Sequence, residues 1–345
     1  MRAVVFQGKG EVAIAEVPCP KRLADTDAIV RVSLAGICGT DLHAVRGDFT
    51  GVEQGTVIGH EFVGNIVEVG SAVKRFRSGD RVMSSDFTAC GHCNRCDDGN
   101  HWQCAQRAFF GTGTAFGPAL QGAQAEFVRV PHADTTLGAL PDGCSAEAGL
   151  LMADNLATGW IAAERARIRA GDCVVVIGGG AVGQLAALSA QAQAAGTVIV
   201  VEPHVARQEF ARSQGNLAVH PDGASDLVRS ITAGHGADAV LEAVGGAGPL
   251  NLAMALTGAC GRVVSVGVHS ANEWAFPVAR AFTAELNLGF AIGNAIRLRG
   301  KLLRLIASGA FDPTVVIDAR GSLANAPRLY RELAEQRCMK AVISL

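Results

Sequence analysis

The chain is poor in charge and in aromatic rings. Of its 345 residues 18% are Asp, Glu, Lys or Arg, 5% are Phe, Trp or Tyr, and there is a single tyrosine. Thirty basic residues against 32 acidic ones leave a net charge of −2, and no basic block interrupts the mixture. Nothing here offers the electrostatic footprint for nucleic acid or an anionic membrane surface, so small molecules are the expected partners. A hydrophobic share of 49% with so little charge also excludes a disordered chain. The long uncharged stretch Ala243–Gly261 is broken by Gly245, Gly246, Gly248, Pro249 and Asn251. It reads as a strand end, a loop and a helix, so no membrane span is expected. Met1–Val17 lacks the apolar core and cleavage site of a secretory signal and alternates as a strand, which sets the cytoplasm as the expected compartment.

What is present is glycine (42) and cysteine (10). At roughly 100 to 200 residues per domain, the length suggests about two domains with room for a large core. Up to about residue 150 the chain reads as short β segments between Gly, Pro and Asp turns, for example Ile29–Leu34, Glu61–Val69, Arg81–Ser84 and Glu126–Val130. From Asp172 apolar strands alternate with helices: Val174–Ile177, Ala181–Ala195, Val198–Val201, Ala206–Gln214 and onward to Arg262–Val266. That alternation predicts a doubly wound parallel sheet, hence an α/β protein. The last fifty residues predict a helix at Ala295–Ser308, a strand near Val315, a helix at Ala326–Gln336 and a strand at Ala341–Leu345, and they suit either domain.

Three motifs carry chemistry. Cys90, Cys93, Cys96 and Cys104 fall within fifteen residues on a Gly- and Asn-rich loop. Free cysteines seldom cluster so in a polar loop, and four thiolates close a tetrahedral zinc as a structural site. His92 and His101 are spare ligands that four thiolates make unnecessary. A second group, Cys38-Gly39-Thr40-Asp41 with His43, Gly59-His60-Glu61, and Asp154 in an apolar run, contains the residue types of a catalytic zinc. Each alone is more often structural, and Asp154 needs a metal or a hydrogen bond to be buried. The third is Gly178-Gly179-Gly180-Ala181-Val182-Gly183, a G-x-G-x-x-G turn between a buried strand and a helix. Gly178, Gly180 and Gly183 let the backbone approach a pyrophosphate, which the amides at the helix start, around Ala181 and Val182, would meet. Glu202 at the end of the next strand would bind the adenosine ribose and repel a 2′-phosphate, favouring NAD, although the nearby Arg207 weakens that preference.

Together these residues, with Thr158-Gly159-Trp160 and the terminal Lys340-Ala341-Val342-Ile343, resemble the zinc-dependent alcohol dehydrogenases of the medium-chain dehydrogenase/reductase superfamily over nearly the whole chain. The resemblance implies a GroES-like β-rich catalytic domain (1–153 and 293–345) enclosing a Rossmann NAD-binding domain (154–292). It implies two zinc ions per chain, Cys38, His60 and Asp154 as catalytic ligands with Glu61 ligating in some members, and Asp41 orienting His60. Thr40 and His43 become a proton relay, and Lys340 a contact to the cofactor pyrophosphate. A homodimer or homotetramer is implied, acting on an alcohol or its aldehyde or ketone. Phe87, Phe109, Phe110 and Trp160 are candidate apolar pocket walls, each equally suited to the core. A polyol is the alternative substrate, and a zinc-stabilised nucleotide-binding protein without turnover the alternative class.

Overall fold

Fully apolar runs ended by glycine turns dictate the unit formed by Thr158–Gly293. In the computed structural model, which describes residues 1–345, six parallel strands make one sheet. Their order is Leu217–Val219, Thr197–Val201, Cys173–Ile177, Ala237–Glu242, Thr257–Ser265, Asn287–Phe290. All five residues of Cys173–Ile177 are buried, as a central strand covered on both faces requires. On one face the helix Ala181–Ala192 sets Ala186, Ala187 and Ala190 against Val174, Val176 and Val200. On the other, Val175, Ile199 and Val240 meet Val228, Ala253 and Met254. Strand order reverses between Cys173–Ile177 and Ala237–Glu242, where sheets of this topology open a crevice for a dinucleotide at the strands' carboxyl ends.

The other unit comprises Met1–Ala157 and Asn294–Leu345. Its central strand Ala28–Ile37 pairs antiparallel with Phe62–Val69 on one side. On the other, the last strand Ala341–Ser344 sets Ala341 opposite Ile37 and Val342 opposite Gly36. Arg81–Ser84 and Leu137–Ala139 extend one edge and Ala319–Ser322 the other, while Phe127–Val130 pairs with the start of Ala28–Ile37. A separate hairpin joins Arg2–Gly8 to Glu11–Glu16. Val30, Val32, Phe62, Ile66 and Phe110 fill one core, and Ile37, Leu42, Leu329, Tyr330 and Ile343 another. The last fifty residues therefore belong to the β-rich unit.

Two expectations are corrected. Asp154, assigned above to the first position of the Rossmann domain, lies in the β-rich unit. The helix Ala146–Ala153 ends there with φ −144° and ψ −71° before Asn155–Arg165 begins, which turns Asp154 and Asn155 toward Cys38 and Glu61. The strand near Val315 is a 3-10 turn, Pro313–Val316. Proline supplies its first helical φ and Asp312 caps it by accepting from the Thr314 amide at 2.9 Å, while the strand follows at Ala319–Ser322. No helix is long and apolar enough to cross a membrane.

Candidate metal centres and cofactor-binding turn

Cys38 stands where Ala28–Ile37 passes into the helix Gly39–Arg46, as its N-cap. Its amide donates to Asp41 Oδ2 at 2.9 Å, and Asp41 Oδ1 lies 3.0 Å from His60 Nδ1. One carboxylate thus caps the helix and fixes the imidazole, so that Nε2 points away from Asp41. Asp154 Oδ2 sits 3.4 Å from both His60 Nε2 and Cys38 Sγ. Potential ligand atoms of Cys38, His60, Glu61 and Asp154 all fall within 4.8 Å of one another. His60 Nε2 is buried and makes no well-formed hydrogen bond, only the 3.4 Å ion-pair contact to Asp154, a donor set that a cation would complete. Burial would lower the His60 imidazole, and the Asp41 and Asp154 carboxylates overcome it, holding it well above its ordinary range. Burial and the charges of Asp154 and Glu61 push the Cys38 thiol up, so the thiolate also requires a cation. An acidic, dry set of thiol, imidazole and carboxylate fits a zinc with three protein ligands and an open position.

Support for this cluster comes from both ends of the chain. Gln124 Nε2 donates to the Gly36 carbonyl at 2.8 Å and reaches Asp41 Oδ2 at 3.3 Å, while its Oε1 accepts from the lone tyrosine, Tyr330, at 2.9 Å. Asn155 Nδ2 donates to Glu61 Oε1 at 2.8 Å, lies 3.2 Å from Asp154 Oδ2 and contacts Cys38 Sγ at 3.6 Å. Lys340 is the residue expected to contact the cofactor pyrophosphate. Its ammonium is buried in the β-rich unit and ion-paired to Glu61 Oε2. Burial alone would lower that ammonium, and the Glu61 charge outweighs it and keeps Lys340 protonated. Asn155, Gln124 and Tyr330 carry no motif that marks them. Asp86 is a further buried carboxyl, which burial and the Asp154 charge raise well above the usual range.

Thr40 and His43 share the helix Gly39–Arg46 at a spacing of three, hence one face. Both are half-buried, and His43 Nδ1 is fixed by Asp48 Oδ2 at 2.8 Å. From His43 a run of rings leads to the metal cluster: Phe49 at 5.8 Å, then Phe116 at 5.0 Å, Phe109 at 5.4 Å and His60 at 5.1 Å between centroids. Of the four residues singled out as pocket walls, Phe109 stands against His60, and Phe87 shares a packed cluster with Cys90, Cys96 and Cys104. Phe87 and Phe110 are fully enclosed core, and Trp160 is 2% exposed in the Rossmann unit.

The thiols of Cys90, Cys93, Cys96 and Cys104 converge, with Cys90 Sγ to Cys96 Sγ at 3.9 Å and Cys93 Sγ to Cys96 Sγ at 3.6 Å. A tetrahedral zinc with Zn–S of about 2.3 Å requires about 3.8 Å between sulfurs, whereas a disulfide requires about 2.05 Å. None of the ten cysteines is disulfide-bonded. The lobe is anchored by Asn294, which donates to Gly99 O at 2.8 Å and lies 3.2 Å from His101 Nδ1, so His101 braces the lobe from outside the thiol set.

In the Rossmann unit, a Cβ on Gly183 would lie 1.8 Å from Gly178 O, so only glycine lets the helix start close on the strand end. Gly180 is the helix N-cap, with Ala181 and Val182 half-buried in its first turn. Glu202 is buried. Its Oε2 accepts from the Gly179 amide at 2.7 Å and Oε1 from the His204 amide at 2.9 Å, so it orders the turn. The Arg207 guanidinium comes within 3.9 Å of a Cβ placed on Gly180.

Comparison with known proteins gives concordant matches. Residues 24–142 match the family described as the alcohol dehydrogenase GroES-like domain, and residues 181–308 that described as zinc-binding dehydrogenase. A protein named as a probable zinc-binding alcohol dehydrogenase of Mycobacterium tuberculosis is 37% identical over 96% of this chain and 84% of its own length. The structure of alcohol dehydrogenase TADH from Thermus sp. ATN1 superposes with a TM-score of 0.95 at 37% identity, covering 100% of this chain and 99% of that one. A zinc-binding dehydrogenase of Sinorhizobium meliloti 1021, whose structure is bound to NADP, gives 0.85 at 28% identity, covering 100% and 99%.

Proposed function

The chain belongs to the zinc-dependent alcohol dehydrogenase family of medium-chain dehydrogenases/reductases, and from that premise we propose that it is an NAD-linked oxidoreductase interconverting an alcohol with its aldehyde or ketone. The observation that carries this reading is the convergence of Cys38 Sγ, His60 Nε2 and Asp154 Oδ2 in a buried acidic cluster. Zinc, when bound, supplies a Lewis acid that lowers the pKa of a hydroxyl, and the nicotinamide supplies a hydride acceptor. Asp41 holds His60 in the tautomer with Nε2 as ligand. Thr40 receives the alcohol proton at its hydroxyl and His43 carries it outward, with Nδ1 held by Asp48. The four-cysteine lobe takes a second, structural zinc.

Glu202, at the end of the second strand of this unit, supports NAD, because a carboxylate there would repel the 2′-phosphate of NADP. Arg207 beside Gly180, together with the NADP held by the Sinorhizobium protein, is the specific reason to test NADP in parallel. The ring run Phe49–Phe116–Phe109 between His43 and His60 favours an alcohol with an apolar, flat body over a polyol. The outer strand Asn287–Phe290, with Phe290 60% exposed on it and Phe282 81% exposed on the preceding helix Val278–Thr283, supports association of identical chains as a homodimer or homotetramer. Steady-state NADH formation with a panel of aromatic, aliphatic and polyhydric alcohols, repeated with NADP, tests the reading. An aromatic primary alcohol with NAD is expected to give the highest kcat/KM. No turnover of any alcohol by zinc-replete protein would overturn enzyme function, and equal or better use of NADP would move cofactor choice to Arg207 and His204.

A further inference from the structure

Glu61 lies close enough to the cluster to coordinate, yet both of its oxygens are turned to other donors. The register explains how. Gly36 donates its amide to Glu61 O at 3.0 Å on one side of the central strand and faces Val342 on the other. A Cβ on Gly36 would sit 1.9 Å from Glu61 Oε2 and 3.1 Å from Lys340 Nζ. The volume left by the missing side chain is where the carboxylate, arriving from the start of one neighbouring strand, meets the ammonium arriving just before the other. Glu61 Oε1 is taken by Asn155 Nδ2 at 2.8 Å.

We propose that Lys340 and Asn155, across the gap at Gly36, hold Glu61 out of the metal's coordination shell, so that Lys340 is a positioning residue for the open ligand position. The inference rests on the zinc reading of Cys38, His60 and Asp154. One thiolate and one carboxylate balance the charge of a divalent zinc. A third anion would occupy the position a substrate oxygen needs and weaken the polarising charge. A buried carboxylate beside a cation turns to that cation unless a stronger local partner satisfies it, and the buried ammonium is that partner.

Cobalt(II) in place of zinc gives visible bands that report coordination, and the difference between the parent and Cys38→Ser protein isolates this site from the four-cysteine lobe. Lys340→Met is expected to shift those bands and to slow cobalt loss to a chelator about tenfold. Lys340→Arg is expected to retain the parent spectrum, and Lys340→Met combined with Glu61→Gln to restore it. Unchanged bands and release rate in folded Lys340→Met overturn the proposal. Should Lys340→Met not fold, Gly36→Ala, which fills the cradle while keeping both charges, is read the same way: a shift supports the proposal and an unchanged spectrum overturns it. Failure of the underlying zinc reading is distinct, because the parent would then show no cobalt bands that depend on Cys38.

Discussion

The two candidate metal clusters of the β-rich unit are built in opposite ways. The lobe draws four identical thiols from Cys90 to Cys104, so its geometry is set by one loop. The Cys38, His60 and Asp154 cluster draws three different potential ligands from across more than a hundred residues and is held by surrounding groups that reach Tyr330 and Lys340. Identical soft ligands close a site and need little outside help. Mixed ligands leave a position open, and the fold must keep its neighbours from filling it.

The largest expected effect breaks this comparison directly. Asp154→Ala is expected to cost about 10³-fold or more in kcat, since the Lewis acid is worth several kcal/mol, while NADH binding and thermal midpoint stay near the parent's. Cys104→Ser is expected to do the reverse, lowering the thermal midpoint and removing one zinc per chain by elemental analysis. Wild-type turnover in Asp154→Ala with full zinc content would reassign Asp154 to a hydrogen-bonding role.

A smaller effect sharpens the functional side. His43→Ala is expected to lower kcat by about 10²-fold or less, because water substitutes in a relay. The basic limb of its pH profile is expected to flatten, and an unaltered profile would remove His43 from proton transfer.

The smallest effect concerns the thiols. Without metal, burial pushes Cys96 up to about 12, whereas the Cys96 amide draws Cys93 down to about 7. Near pH 7.5 Cys96 is therefore protonated and Cys93 largely ionised, so zinc entering the lobe must expel protons. Its affinity is expected to rise with pH and fall on acidification. An indicator dye can count protons released per zinc in apoprotein carrying Cys38→Ser, and a count of zero would rule out thiolate ligation.

How much was legible in the sequence follows the same division. The lobe could be read from spacing, and the Rossmann turn from a buried strand running into G-x-G-x-x-G. Cys38 and His60 gained meaning through family resemblance, since neither is distinctive alone. The pairing of Glu61 with Lys340 could not be read, because it depends on the register of strands from opposite ends of the chain around Gly36. The aromatic run was legible only at Phe109. Phe49 and Phe116 lie in glycine-rich loops without periodicity, while Phe87 and Phe110 pack as core. Pro313 and Asp312 carry the signal for a 3-10 turn, while the β-branched run Thr314–Ile317 that follows suits a strand.

Tyr330 and Lys340 have a consequence for how the molecule is made. During synthesis the four cysteines of the lobe emerge together and can be gathered long before the chain is complete. His60 emerges early too, but the tyrosine that steadies its outer shell and the lysine that occupies Glu61 follow only after the whole Rossmann insertion, Thr158–Gly293, has been translated. Until Lys340 is placed beside Gly36, Glu61 lacks the ammonium that satisfies its Oε2. The final strand therefore completes the pairing of Glu61, so of the residues around this carboxylate its ammonium partner is made last.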